Sequence, residues 1–168
     1  NFLQYNSISL KNISFIAAGC GPGSFTGIRS VISASLGIKI PNNHINSIGI
    51  NSLAGLAMSA LDEAKKLNLK YIISSIDSKK DDLFLQLFKI NYYKNNLLPF
   101  VVVKDIETIK IENLYNYTII NNLVLKDALF IGHQSNIAKK MIRNLNVSKK
   151  YKQYPDSLGV GKLASFLI

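Results

Sequence analysis

Gly19-Cys20-Gly21-Pro22-Gly23-Ser24-Phe25-Thr26-Gly27-Ile28-Arg29 joins a short apolar run to a long one and organises the chain around it. Upstream, Ile13 and Phe15 to Ala18 form a short apolar, partly β-branched run of the kind that makes a buried strand. Downstream, Thr26 to Ile40 contains no proline and repeats apolar residues at helical spacing. Between them Gly19, Gly21, Pro22 and Gly23 permit a sharp turn, and Ser24 or Thr26 can cap the helix that follows. The predicted unit is strand, glycine-rich turn, helix. Such a turn aims backbone N–H groups and the positive end of a helix at one point, which suits an anion. Yet no Gly-Lys-Ser/Thr follows, and Gly21, Gly23 and Gly27 are spaced G-x-G-x-x-x-G, so neither the Walker loop nor the dinucleotide fingerprint is present. On these residues a tight, capped turn without a ligand is the preferred reading.

The helix carries more information than the turn. Ser30, Ser33, Ala34 and Gly37 fall at i, i+3, i+4 and i+7, a stripe of small side chains. Ile28, Val31, Ile32, Leu36 and Ile38 form a bulky face, and Arg29 and Lys39 are the only charges. A helix with so little polar surface is expected to be covered on two sides. One cover is its own sheet; the other is either a second helix of the same chain or a second molecule.

The run Gly21 to Arg29 resembles the signature of the TsaB family. Two later stretches resemble family segments in the same order: Ile50-Asn51-Ser52-Leu53-Ala54-Gly55-Leu56-Ala57, and Ile76-Asp77-Ser78-Lys79-Lys80-Asp81-Asp82-Leu83-Phe84. The match covers the chain as far as about Phe88. Beyond that point only the pattern is similar. The resemblance implies an α/β actin-like ATPase (ribonuclease H-like) fold, a mixed sheet with flanking helices. Because no strand hairpin with an Asp-Thr-Ser-type segment precedes Asn1, the fold is expected to be incomplete at its N-terminus. The greasy ending at Ile168 suggests further chain there as well.

By the same resemblance the chain is a non-catalytic partner subunit in bacterial synthesis of N6-threonylcarbamoyladenosine, at position 37 of tRNAs reading codons that begin with A. It would bind and support the catalytic relative TsaD as a heterodimer, join TsaE in a larger complex, form a homodimer when alone, and meet tRNA indirectly. The partner interface would be the helix from Phe25 to Lys39, carried by Phe25, Thr26, Arg29, Ser30, Ser33, Ala34 and Gly37. Gly21, Pro22, Gly23, Ser24 and Gly27 would shape the turn. No metal, cofactor or catalytic residue is expected of the chain itself; ATP is used by the complex, and Asp77 is a weak candidate for a nucleotide contact. The alternative is a degenerate actin-like ATPase or glycoprotease-type enzyme, which would need a His-x-x-x-His pair or a phosphate-binding Asp strand. Neither is found in these residues.

Composition bounds these readings. At 168 residues and 48% hydrophobic content the chain can bury a real core, as one domain or a compact pair divided near residue 70 (1–70 and 71–168). No apolar run is long enough to span a bilayer and no signal-like N-terminus is seen, so a cytoplasmic protein without membrane contact is expected. The single Cys20 excludes an internal disulfide and reads as a small packed residue rather than a reactive one. The net charge of +10 would suit a polyanion such as tRNA. Against that, the lysines are scattered in pairs, and the wealth of Asn, Ile, Lys and Tyr points to AT-biased composition as the preferred source.

The remaining elements follow in order. Asn1 to Asn12 reads as a helix tail and loop. Ile45 to Ile50 is a strand after the helix-stopping Pro41, and Asn51 or Ser52 caps a helix ending at Asn68. Lys70 to Ile76 and Leu83 to Ile90 are strands joined by the polar loop 77–82, whose three aspartates read as a neutralised turn rather than a metal cluster. A polar turn at 92–96 and a strand from Leu97 to Val103 complete a meander; 105–116 is expected to be helical or irregular. Leu129 to Gly132 is a strand, with helices from Ser135 to Leu145 and from Leu158 to Ile168. His44 reads as a solvated loop imidazole, and His133, just past a strand end, as a lone residue without catalytic partners.

Overall fold

The computed structural model describes residues 2–92, 98–120, 125–150 and 152–168. A short helix α1 (Phe2–Tyr5) and a 3₁₀ turn at Leu10–Asn12 precede β1 (Phe15–Gly19), α2 (Phe25–Lys39), β2 (Asn46–Ile50) and α3 (Ser52–Lys66). β1 and β2 pair in parallel as a two-stranded sheet, Phe15 opposite Asn46 and Gly19 opposite Ile50. The strand, glycine turn and helix therefore form one βαβ unit. Asn51 caps α3, its side-chain oxygen accepting from the amides of Leu53 at 2.8 Å and Ala54 at 3.2 Å.

β3 (Tyr71–Asp77) and β4 (Leu83–Ile90) form the expected hairpin, Tyr71 opposite Lys89 and Asp77 opposite Leu83. In the loop Lys79 and Asp81 take left-handed backbone angles, and the Ser78 amide donates to the Asp82 carbonyl at 3.0 Å. β5 (Phe100–Ile109) pairs antiparallel with β4, while β6 (Ala128–Gly132) and β7 (Asn146–Val147) add in parallel, in the order β5-β4-β3-β6-β7. This is the mixed sheet with flanking helices that the sequence predicts.

The alternation in β4 shows why both faces of this sheet are covered. Phe84, Phe88 and Ile90 join a core with Ile72, Ile76 and the apolar side of α3. Leu83, Leu85 and Leu87 join a second core with Ile73, Phe130, Leu114 and Tyr117. The second core is closed by α4 (Leu114–Ile120) and by α5 (Ser135–Met141) through Ala138. Phe88 and Phe130 are wholly buried, and each such side chain contributes about 1.5–3 kcal/mol on transfer from water.

Three segment boundaries differ from the sequence expectation. β5 runs on through Asp105 to Ile109, where a helical or irregular segment was predicted, because Leu83 to Leu85 still need partners and take Ile109, Thr108 and Glu107. Its polar side chains sit on the outer strand of the sheet, where charge is tolerated. α5 stops at Met141 rather than Leu145, since Ile142 turns extended and both Ile142 and Leu145 go into the core. The last helix, α6 (Ser157–Ala164), ends four residues before Ile168, and Phe166 to Ile168 are exposed. The expected turn at 92–96 and the first residue of the expected strand at 97 lie outside the described residues, apart from Tyr92.

Candidate functional site

β1 delivers the chain to the glycine turn, and the turn is tied to the start of α3 from both directions. The Gly21 amide donates to Ser52 Oγ at 3.2 Å and the Ser52 amide to the Gly21 carbonyl at 2.7 Å. Gly21 has φ 107°, and a Cβ there would lie 3.1 Å from Ile28 Cδ1. Gly23 also has positive φ, at 156°, but open space around it. Gly27 differs: a Cβ would meet Ser24 at an ordinary 3.5 Å, so the need for glycine rests on Gly21 and Gly23. The Gly21–Pro22 peptide is cis. Ser24 caps α2, its hydroxyl accepting from the Gly27 amide at 3.3 Å.

α2 leans on the two-stranded sheet by a narrow line. Ser35 is its only buried residue, and Ser35 Oγ meets Ser47 Oγ at 2.6 Å. The sequence led to an expectation of cover on two sides; the described residues cover one. Val31, Ile32, Leu36 and Ile38 are each 38–45% exposed, and Phe25, at 72%, stands clear of the fold. Thr26, Ser30, Ser33, Ala34 and Gly37 are exposed too, and a Cβ at Gly37 would meet nothing within 4 Å. The Arg29 guanidinium lies 5.0 Å from the Phe25 ring centre, a cation–π contact at the helix start.

The close helix crossing inside this chain is elsewhere, between α3 and α6. A Cβ on Gly159 would fall 2.4 Å from the Gly55 carbonyl and from Ser59 Oγ, so the two helices touch backbone to backbone. Sequence reasoning missed this pair. Its signal was Gly55 and Ser59 at i, i+4 on α3, overshadowed by the longer small-residue stripe on α2. Asp156 caps α6, accepting from the Gly159 amide at 2.8 Å and Ser59 Oγ at 3.1 Å, and pairs with Lys152. Lys152, with the help of these donors, holds the Asp156 carboxyl down at about 2.

Between the glycine turn and the segment Tyr154 to Ser157 lies a cleft of about 470 Å³, walled by Pro22, Gly23, Ile28, Val31 and Val160 among others. Asp77 ends β3 nearby without lining it. Asp77 Oδ1 accepts from the Lys79 amide at 2.8 Å and Oδ2 pairs with Lys79 Nζ at 3.1 Å, which lowers the carboxyl below its ordinary range. His133 packs edge-on against Tyr154, with ring centres 4.7 Å apart. Burial pushes the His133 imidazole down, against an upward pull from Asp77. The bend that carries it requires Gly132, whose Cβ would lie 1.9 Å from the Ser75 carbonyl oxygen, while Ser75 Oγ donates to the His133 carbonyl at 2.8 Å. His44 is a loop residue with Nε2 3.1 Å from the Leu10 carbonyl. Cys20 is exposed. Among the described residues no cluster of three or more His, Cys, Asp or Glu is placed to hold a metal ion, and no helix is long and apolar enough to cross a membrane.

Comparison with known proteins bears on this geometry. Residues 1–161 match the family described as "TsaD: tRNA N6-adenosine threonylcarbamoyltransferase". A protein of Buchnera aphidicola subsp. Schizaphis graminum, "tRNA threonylcarbamoyladenosine biosynthesis protein TsaB", is 35% identical over 116 residues, 67% of this chain and 50% of that protein. The protein of the same name from Escherichia coli K12 is 29% identical over 84 residues, 50% of this chain and 35% of its own length. The chain thus spans half or less of the curated relatives it matches. Among solved structures, "YeaZ from Pseudomonas aeruginosa" superposes with a TM-score of 0.73 at 19% identity, covering 98% of this chain and 71% of that one. That likeness shows the fold, which is the actin-like, ribonuclease H-like α/β fold. The family model over residues 1–161 places the chain in the family described as "TsaD: tRNA N6-adenosine threonylcarbamoyltransferase", and within it the three sequence motifs in order, the relatives named TsaB and the fold in agreement make it a TsaB-family protein.

Proposed function

We propose that the chain is a non-catalytic subunit in synthesis of threonylcarbamoyladenosine at position 37 of tRNAs reading codons that begin with A. It holds the catalytic subunit TsaD through α2, with TsaE joining the larger complex, in the cytoplasm. The chain needs no cofactor of its own, and ATP is used by the complex. The observation that carries this reading is the exposure of α2: a fifteen-residue helix whose bulky apolar face and small-residue stripe both lie open. Phe25 and Arg29, stacked at the helix start, have the character of interface anchors, and the open space at Ala34 and Gly37 permits close approach of a partner helix. The curated relatives' names supply the pathway.

The test fills the stripe. Ala34→Leu and Gly37→Leu place bulk where no neighbour stands, so thermal midpoints stay within about 1–2 °C of the parent, as for other surface changes. Association with TsaD, measured by calorimetry on purified proteins, falls about thirtyfold, equivalent to roughly 2 kcal/mol. The same variants weaken any homodimer formed without TsaD. Undiminished affinity for TsaD in both variants overturns the interface.

A further inference from the structure

We infer that the outer edge of the five-stranded sheet, around β7 and the end of α5, is a docking surface for the phosphate backbone of a structured RNA. Residues 128–155 contain six basic residues, Lys139, Lys140, Arg143, Lys149, Lys150 and Lys152, and no acidic one. That is +6 in 28 residues, against +10 for all 168. An even spread would give this stretch less than a third of that charge, so compositional bias alone does not account for it.

The fold sorts the six. Lys150 Nζ donates to the Ser59 carbonyl and Lys152 pairs with Asp156, so both are committed to holding α3 and α6. Lys139, Lys140, Arg143 and Lys149 are exposed, and no ion pair is found for them among the described residues. Lys126 joins them from the 3₁₀ turn Leu125–Asp127 that precedes β6: Asn146 Nδ2 donates to the Lys126 carbonyl at 2.9 Å, which sets it beside β7. The acids nearby are engaged. Asp127 pairs with Lys70 at 2.8 Å, and Glu63 is held by Ser148 Oγ at 2.6 Å and the Lys149 amide at 2.9 Å. Lys139 and Lys140, in the last turn of α5, also complement the helix dipole, and Lys126 sits in the 3₁₀ turn Leu125–Asp127; Arg143 and Lys149 lie outside any helix and gain nothing from one.

Five free cations on a frame fixed by β6, β7 and α5 are suited to neutralising successive phosphates of a folded polyanion. The choice of RNA among polyanions rests on the proposed role in tRNA modification. The edge lies on elements separate from α2, so a chain bound to TsaD through α2 can present it, and contact with tRNA becomes direct rather than through the partner.

The experiment measures binding of a fluorescently labelled, unmodified tRNA transcript to the full chain by anisotropy across a salt series. It compares the parent with K139Q/K140Q/R143Q and with a control of equal charge, K11Q/K89Q/K110Q. The expected result is a loss of at least about tenfold for the first variant at about 0.1 M salt, with the slope of log K against log salt falling by about 2–3 units, since each phosphate contact contributes about 0.7–0.9. The control keeps the parental slope to within about one unit. Equal losses in both variants show attraction to net charge alone and overturn the proposal, as does a parent that fails to bind tRNA. Binding to vesicles with one-third anionic lipid that depends on the three cations, with tRNA binding unchanged in K139Q/K140Q/R143Q, assigns the edge to a membrane and overturns it too. TsaD affinity of the same variants separates the two readings. Loss of tRNA with TsaD binding intact supports the docking edge whatever becomes of α2, while TsaD binding without any tRNA affinity removes this inference and leaves the proposed function standing.

Discussion

Single residues in this fold are fixed by what their backbone must avoid. Gly132 has φ 123° and stands against the Ser75 carbonyl, so Gly132→Ala combines left-handed strain with a contact at 1.9 Å. The expected cost is about 3 kcal/mol, which for a domain of this size lowers the thermal midpoint by roughly 6–12 °C. Gly37→Ala is the matched control: the position is helical and open, and the change gains up to about 1 kcal/mol from helix propensity. Calorimetric melting of both variants checks the pair, and equal midpoints would refute the account of Gly132. Gly21, Ser24 and Asn51 were legible in the sequence because turns and caps are local chemistry. Gly132 was legible only as a strand end, since what excludes a side chain there is a residue 57 positions earlier.

At the scale of elements, Asp156 shows how a cap ties helices together. Its carboxylate holds the start of α6, the Ser59 hydroxyl on α3 and the Lys152 ammonium. Asp156→Ala is expected to cost about 1–2 kcal/mol at neutral pH, as other lost caps do. The folded carboxyl titrates at about 2 against an ordinary 3.8, so its stabilisation is complete above about pH 4 and is lost as pH falls through 2. The gap between parent and variant in urea melts should therefore be constant from pH 7 to 5 and close between pH 4 and 2; a gap that widens in acid would contradict the ion pair. The small-residue stripe on α2 and the Gly55–Ser59 pair on α3 look alike in sequence. They differ only in what lies opposite: α6 brings Gly159 against one, and none of the described residues covers the other.

Across the whole molecule, stability is unevenly spread. β3, β4 and β6 are covered on both faces by two apolar cores, whereas β1 and β2 form a two-stranded sheet under an exposed helix. Amide exchange should therefore be slowest in Ile72–Ser75 and Leu85–Leu87 and fastest, among the regular elements, in α2, and the proposed binding of TsaD predicts added protection there. Uniform protection across both sheets would refute this ranking. From sequence alone the chain determined its turn, its caps, the alternation that covers β4 on both sides and its family, because each rests on neighbouring residues or on a short motif. The length of β5, the early ends of α5 and α6 and the α3–α6 crossing came from tertiary packing. In each case the partner that settles the matter lies tens of residues away, and spacing along the chain does not reveal which surfaces meet and which stay open.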